Sequence, residues 1–140
     1  MKERTLAIVK PDAVAQAKVG EILARAEAHG LRMIAGRLVQ LARADAGRFY
    51  VVHQERPFYA SLCDFMSSGP LFVCVFEGAS AIRTWRDLMG ATDPAKAAAG
   101  TVRKDFGTNV ERNATHGSDG PDTARWEISF FFGERELLDA

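Results

Sequence analysis

Little in this sequence ties it to a membrane, a disulfide scaffold or a nucleic acid. Before Lys10 the one largely apolar run, Thr5 to Val9 in MKERTLAIVK, is five residues long, too short for a signal peptide or a spanning helix. A cytoplasmic location with no membrane partner is the expectation. There are two cysteines, Cys63 and Cys74, eleven residues apart in apolar segments, so neither a CxxC redox motif nor metal-ligand spacing is present. They read as two buried thiols and favour a reducing compartment. Charge of one sign is not in excess either: Lys plus Arg and Asp plus Glu number 18 each. No global field steers the chain toward nucleic acid, and any anion site has to be a local cluster.

Several common chemistries are missing as well. GxxxxGK[ST], GxGxxG, HExxH and GxSxG are all absent, so a phosphate ligand would meet neither a P-loop nor a dinucleotide-binding turn. His29, His53 and His116 lie far apart, without cysteines or carboxylates at zinc spacing, and no metal held by protein ligands is expected.

What remains is an ordinary globular composition, 47% hydrophobic and 26% charged over 140 residues. One domain spanning 1–140 is expected, long enough to bury roughly two-thirds of the surface of its unfolded chain. TLAIVK reads as a strand stopped by Pro11. Asp12 is placed to cap a helix in which Val14, Val19, Ile22, Leu23 and Ala26 recur at helical spacing as far as His29, ended by Gly30. LRMIAGRLVQL reads as a second strand whose central Gly36 marks a bulge or a close backbone approach. RADAGRFYVVHQ and RPFYASLCDFMSSG predict two short helices. PLFVCVFEG is apolar on both faces and so predicts a central strand, followed by a helix over SAIRTWRDLMG. Residues 91–110 show no sustained period, and so long an irregular excursion in a small domain points to function. In the last segment, WEISFFF alone would suit a strand. Pro121 and the spacing of Ala124, Ile128 and Phe131 favour a helix. The order is that of an α+β fold of ferredoxin-like βαββαβ type, a four-stranded antiparallel sheet covered by helices.

His29 sits at a helix end, where a cation suits the dipole, and His53 beside Gln54 and Glu55 reads as a solvated helix residue. His116 differs, standing alone in RNATHGSDGPD among small polar neighbours that would not bury its ring. An imidazole with a pKa near 6.5 is mostly neutral at pH 7, so it can act as a nucleophile without a strong base.

NATHGSD, together with TLAIVKPDAV, ERPFY, RDLMGATDP and GTVRKDFG, closely resembles the nucleoside diphosphate kinase family, with these blocks in the family's order and spacing from Thr5 to about Phe132. The resemblance implies a phosphotransferase in which His116 accepts the γ-phosphoryl group of a nucleoside triphosphate on Nδ1 and passes it to a nucleoside diphosphate. It further implies that Glu127 orients the imidazole and that Ser118 is hydrogen-bonded to Glu127. Tyr50 would place its hydroxyl beside the histidine. Lys10, Arg86, Arg103 and Thr92 match phosphate-binding positions. Asn113, with Lys10 again, matches contacts to the ribose, and Phe58 and Val110 match an apolar pair around the base. Such a clamp tolerates any base, because each has a π-face. Mg²⁺ is implied on the nucleotide phosphates, held largely through water. Nucleoside tri- and diphosphates are the implied partners, and a homotetramer or homohexamer the implied assembly. A regulatory or nucleic-acid-binding module without turnover, and a phosphohistidine donor to other proteins, are the competing readings. Ala99, and Gly120 with Pro121, depart from residues common in that family.

Overall fold

The computed structural model describes residues 2–138 of the chain. Four strands, β1 (Glu3–Val9), β2 (Arg32–Val39), β3 (Leu71–Gly78) and β4 (Thr115–Gly117), form one antiparallel sheet in the order β2-β3-β1-β4. Among the described residues seven α-helices are set between and after them: α1 (Pro11–Ala15), α2 (Val19–Ala28), α3 (Arg43–Phe49), α4 (Tyr59–Met66), α5 (Ala81–Met89), α6 (Val102–Phe106) and α7 (Pro121–Phe131). This is the α+β, ferredoxin-like arrangement anticipated from the element order.

The two central strands explain the double-sided apolar pattern. Along β1, Leu6 and Ile8 face a core closed by α3, α4 and α7, while Ala7 and Val9 face a second core closed by α1, α2, α5 and α6. β3 alternates in the same way, with Val73 and Val75 on the first face and Cys74 and Phe76 on the second. Cys63 and Cys74 are both free thiols, buried one in each core.

Four local readings are corrected. The expected single helix through His29 is two, because Ala17 adopts φ 59° and the chain turns there. Its neighbours close a Schellman motif, Lys18 N–H to Ala13 O and Ala17 N–H to Val14 O. Glycine usually fills that position, so an alanine gave no sign of a helix end. Asp12 does not cap α1; its carboxylate turns away to the backbone N–H of Ala114 at 3.0 Å. Residues 91–110 are not wholly irregular, since Thr101 Oγ1 accepts from Lys104 N–H and starts α6. His53 is in a 3₁₀ turn (Val51–His53) rather than on a regular helix, and its ring meets Tyr50 and Phe58. In β2 the ladder is irregular between Met33 and Ala35. Gly36 takes the close approach, as a Cβ there would come within 2.9 Å of Met33 Sδ and Phe72 Cζ.

The final segment is helical, with Pro121 at its first position and Gly120 extended before it, donating its N–H to Thr123 Oγ1 at 2.9 Å. Gly120 and Pro121 therefore serve as a helix start.

Candidate active site

Strand register places the histidine. β4 pairs with β1 so that Ile8 lies opposite His116 and Ala7 opposite Gly117. Opposed residues share a face, so His116 points with Ile8 toward α3 and α7, and Ser118, two residues on, points the same way. Ser118 is tied to β1 twice, donating its N–H to Leu6 O at 3.2 Å and accepting Leu6 N–H on Oγ at 3.1 Å.

On that face α7 brings up Glu127. His116 Nε2 is 3.0 Å from Glu127 Oε1, and the Ser118 hydroxyl donates to the same oxygen at 2.8 Å. A carboxylate only accepts, so Nε2 carries the ring proton and Nδ1 keeps its lone pair. Phe49 and Tyr50 pack edge-on against the imidazole, with ring centroids at 5.4 and 6.1 Å. Only 18% of the His116 side chain is exposed. Small sequence neighbours suggested an open ring; residues distant in sequence bury most of it.

Thr115 and Gly117 face the opposite core. Trp85, fully buried on α5, donates its indole N–H to His116 O at 3.1 Å. A Cβ on Gly117 would fall 2.5 Å from Trp85 Cδ1 and 2.7 Å from Met89 Cε, so only glycine fits where α5 crosses β4.

His116 opens into a cavity of about 470 Å³ whose walls include Lys10, Tyr50, Phe58, Arg86, Thr92, Arg103, Val110 and Asn113. Those residues, drawn from separate stretches of the sequence, are brought together; Ser118 and Glu127 stand behind the imidazole. His53, read from the sequence as a solvated helix residue, also lines the cavity, as do Leu62, Met89, Glu111, Gly117 and Asp119, none of which the sequence assigned to a site. Asp119 adjoins Ser118 and was within reach of motif reading. The apolar ones carry no local signal of a site.

Three cations converge here. Lys10 donates from Nζ to Asn113 Oδ1 at 2.8 Å. Burial, helped by the charge of Arg103, lowers its pKa to about 8, against the opposing charges of Asp12 and Glu111. Arg103 bonds the carbonyls of Gly90 and Thr115 at 3.1 and 2.8 Å, and burial with the neighbouring Arg86 lowers its pKa to about 10. Its Nε has no hydrogen-bond partner among the described residues. Arg86 pairs with the exposed Asp119 at 2.8 Å. Cations depressed in this way are short of negative charge, and an anion in the cavity would supply it.

The Asn113 amide is already committed, its Nδ2 donating to Thr92 O and Val110 O at 3.0 and 2.9 Å. The Tyr50 hydroxyl is buried without a partner among the described residues, and burial raises its pKa. At the mouth, Phe58 and Val110 leave apolar surface exposed. Among the described residues no three His, Cys, Asp or Glu side chains group closely enough to hold a metal ion, and no helix is long and apolar enough to cross a membrane.

A nitrogen nucleophile held from behind, faced by cations and flanked by an apolar slot, suits phosphoryl transfer from a nucleotide. Relatives of the chain agree. The family model described as nucleoside diphosphate kinase matches residues 3–137. The nucleoside diphosphate kinase of Bordetella pertussis is 62% identical over 132 residues, 94% of either chain, and that of Burkholderia mallei 57% identical over 135 residues, 96% of either chain. Among solved structures, the nucleoside diphosphate kinase of Aquifex aeolicus superposes with a TM-score of 0.96 at 42% identity, over 99% of this chain and all of that one. The halophilic enzyme of Halobacterium salinarum, in complex with CDP, gives the same score and identity over 100% of this chain and 93% of its own. By sequence and by fold alike, this chain belongs to the nucleoside diphosphate kinase family.

Proposed function

We propose that this chain is a nucleoside diphosphate kinase that transfers the γ-phosphoryl group of a nucleoside triphosphate, mainly ATP, to a nucleoside diphosphate through a phosphohistidine on His116. The observation that carries this reading is the imidazole held through Nε2 by Glu127 in a cavity shared with Lys10, Arg86 and Arg103.

In the first half-reaction the Nδ1 lone pair attacks the γ-phosphorus, the bond to the bridging oxygen breaks, and the nucleoside diphosphate leaves with the electron pair. The ring gains positive charge as the N–P bond forms, and the Glu127 carboxylate 3.0 Å away stabilises it. Ser118 fixes the carboxylate in turn. In the second half-reaction a terminal phosphate oxygen of another diphosphate attacks the same phosphorus and the N–P bond breaks. One site thus serves donor and acceptor alternately, as in other ping-pong enzymes.

Lys10, Arg86, Arg103 and the Thr92 hydroxyl hold the phosphates, where charge spreads over the transferred group. Tyr50 stays protonated and gives a neutral donor beside the ring. For the ribose, Asn113 offers the second lone pair of Oδ1 and Lys10 a remaining N–H. The base lies between Phe58 and Val110, and contacts of this kind give broad base and sugar specificity. Mg²⁺ enters as part of the substrate, on the phosphates and largely through water.

The enzyme self-associates as a homotetramer or homohexamer, a reading supported by the open edge of β2 with Leu38 largely exposed. A monomer mass by light scattering would contradict it. It acts in the cytoplasm, in keeping with two free thiols, and the even charge balance favours no specific nucleic-acid partner. Incubation with γ-labelled ATP should yield an acid-labile phosphoprotein. His116→Ala abolishes the label and the transfer to diphosphates; a mutant that still transfers would overturn the assignment.

A further inference from the structure

Ala114, two residues before His116, is fully buried and has φ 74°, a conformation L side chains rarely adopt. Thr115 N–H donates back to Asn113 O at 2.9 Å, closing a γ-turn of the strained, positive-φ kind around Ala114. Such a turn persists only where its surroundings hold it. Both backbone groups of Ala114 are held. Its carbonyl accepts Lys10 N–H at 2.8 Å, and its N–H donates to Asp12 Oδ2 at 3.0 Å. Asp12 is the one side chain in this clamp, and it reaches across from α1 at the cost of leaving Oδ1 buried and unpartnered among the described residues.

The turn joins two halves of the site. On one side is Asn113, whose amide is fixed to Thr92 and Val110 and whose oxygen takes the Lys10 ammonium. On the other is β4 with His116. Asp12 itself does not line the nucleotide cavity. If Ala114 relaxed to negative φ, the histidine would rotate relative to the groups that bind the nucleotide, while both halves kept their own contacts.

We propose that Asp12 is a positioning residue, whose carboxylate holds Ala114 in the left-handed turn and so sets His116 in line with a nucleotide bound through Lys10 and Asn113. The inference rests on the phosphohistidine mechanism proposed above. It predicts that binding and chemistry separate: loss of the Asp12 contact leaves ATP affinity within about threefold and slows phosphorylation at saturating ATP by on the order of tenfold or more.

The test is rapid-quench phosphorylation of His116 by Mg-ATP, with rates per folded site, in the wild type, Asp12→Ala, Asp12→Asn, Ala114→Gly and the double variant Asp12→Ala/Ala114→Gly. Asn keeps an acceptor for Ala114 N–H and should restore most of the rate. Glycine accepts positive φ without steric cost, so Asp12→Ala should slow the protein much less in the Ala114→Gly background than in the wild type. Should Asp12→Ala fail to fold, Asp12→Ser, polar but too short to reach Ala114, takes its place. Equal slowing in the two backgrounds overturns the proposal, as does a variant that melts early yet phosphorylates at the wild-type rate. A wild-type protein that forms no phosphohistidine would instead sink the proposed function, and is told apart by needing no variant.

Discussion

His116 Nε2 and Glu127 Oε1 stand 3.0 Å apart, joining a three-residue strand at the sheet edge to the helix that follows it. The contact fixes the ring's tautomer and rotation together, and it puts a negative charge behind a nitrogen that becomes cationic as Nδ1 is phosphorylated. Glu127→Gln keeps the size and removes the charge. A hydrogen bond to a charged group is worth about 1.5–3 kcal/mol, so phosphoenzyme formation should slow by roughly 10- to 100-fold. Single-turnover kinetics checks this, and an unchanged rate would remove the carboxylate from the chemical step.

Lys10 gives the enzyme a basic limb. With its pKa lowered to about 8, its ammonium is lost as pH rises through that value, and kcat/KM for nucleotides should fall with it. Stability should move the other way. The folded protein releases this proton near pH 8 and the unfolded chain near 10.5, so between them the unfolded state binds more protons and this group's contribution rises with pH. A pH profile of kcat/KM that stays level from about 7 to about 9.5 would contradict the assignment.

Phe58→Ala removes one side of the slot proposed to hold the base. Stacking on an aromatic ring contributes about 1–3 kcal/mol per base, so KM should rise by roughly 10- to 100-fold, by similar factors for ADP, GDP, CDP and UDP. Steady-state assays with the four diphosphates decide it. A loss confined to one base would mean that the slot reads base edges.

Gly117→Ala forces a methyl against Met89 and against the Trp85 ring, which is fully buried and cannot retreat in a close-packed core. Overpacking of this kind costs about 1–3 kcal/mol. Urea denaturation should show that loss, and turnover should drop because Trp85 also holds the His116 carbonyl. A variant as stable and active as the wild type would mean that α5 shifts freely from β4.

Chelation of Mg²⁺ should stop transfer while leaving the melting temperature of the nucleotide-free protein unchanged, as expected if the metal arrives on the substrate. A lower melting temperature on chelation would point to an ion held by the protein itself.

Much of this was legible in the residues. The unbroken apolar run of 71–76 marked a strand buried on both faces, because a central strand must satisfy two cores at once. Pro121 and the 3–4 spacing after it marked α7. The blocks around Lys10, Phe58, Arg86, Arg103 and His116 carry the likeness to a nucleotide kinase family in sequence alone. Other features left no local trace. An alanine at φ 59° ended α1 where glycine would have announced it, and a threonine cap turned part of an aperiodic stretch into α6.

The sequence by itself determined the order of the four strands and of the longer helices, and the chemical class of the site, because periodicity and motif spacing are properties of neighbouring residues. Motif resemblance named Glu127, Ser118 and Tyr50 as neighbours of the imidazole; tertiary structure decided how they and Phe49 are held around it. The pairing of Ile8 with His116, the reach of Glu127 from α7, the cover given by Phe49 and Tyr50, and the clamp of Asp12 on Ala114 all join residues apart in the chain. Such contacts follow from register and packing in three dimensions, and no local pattern encodes them.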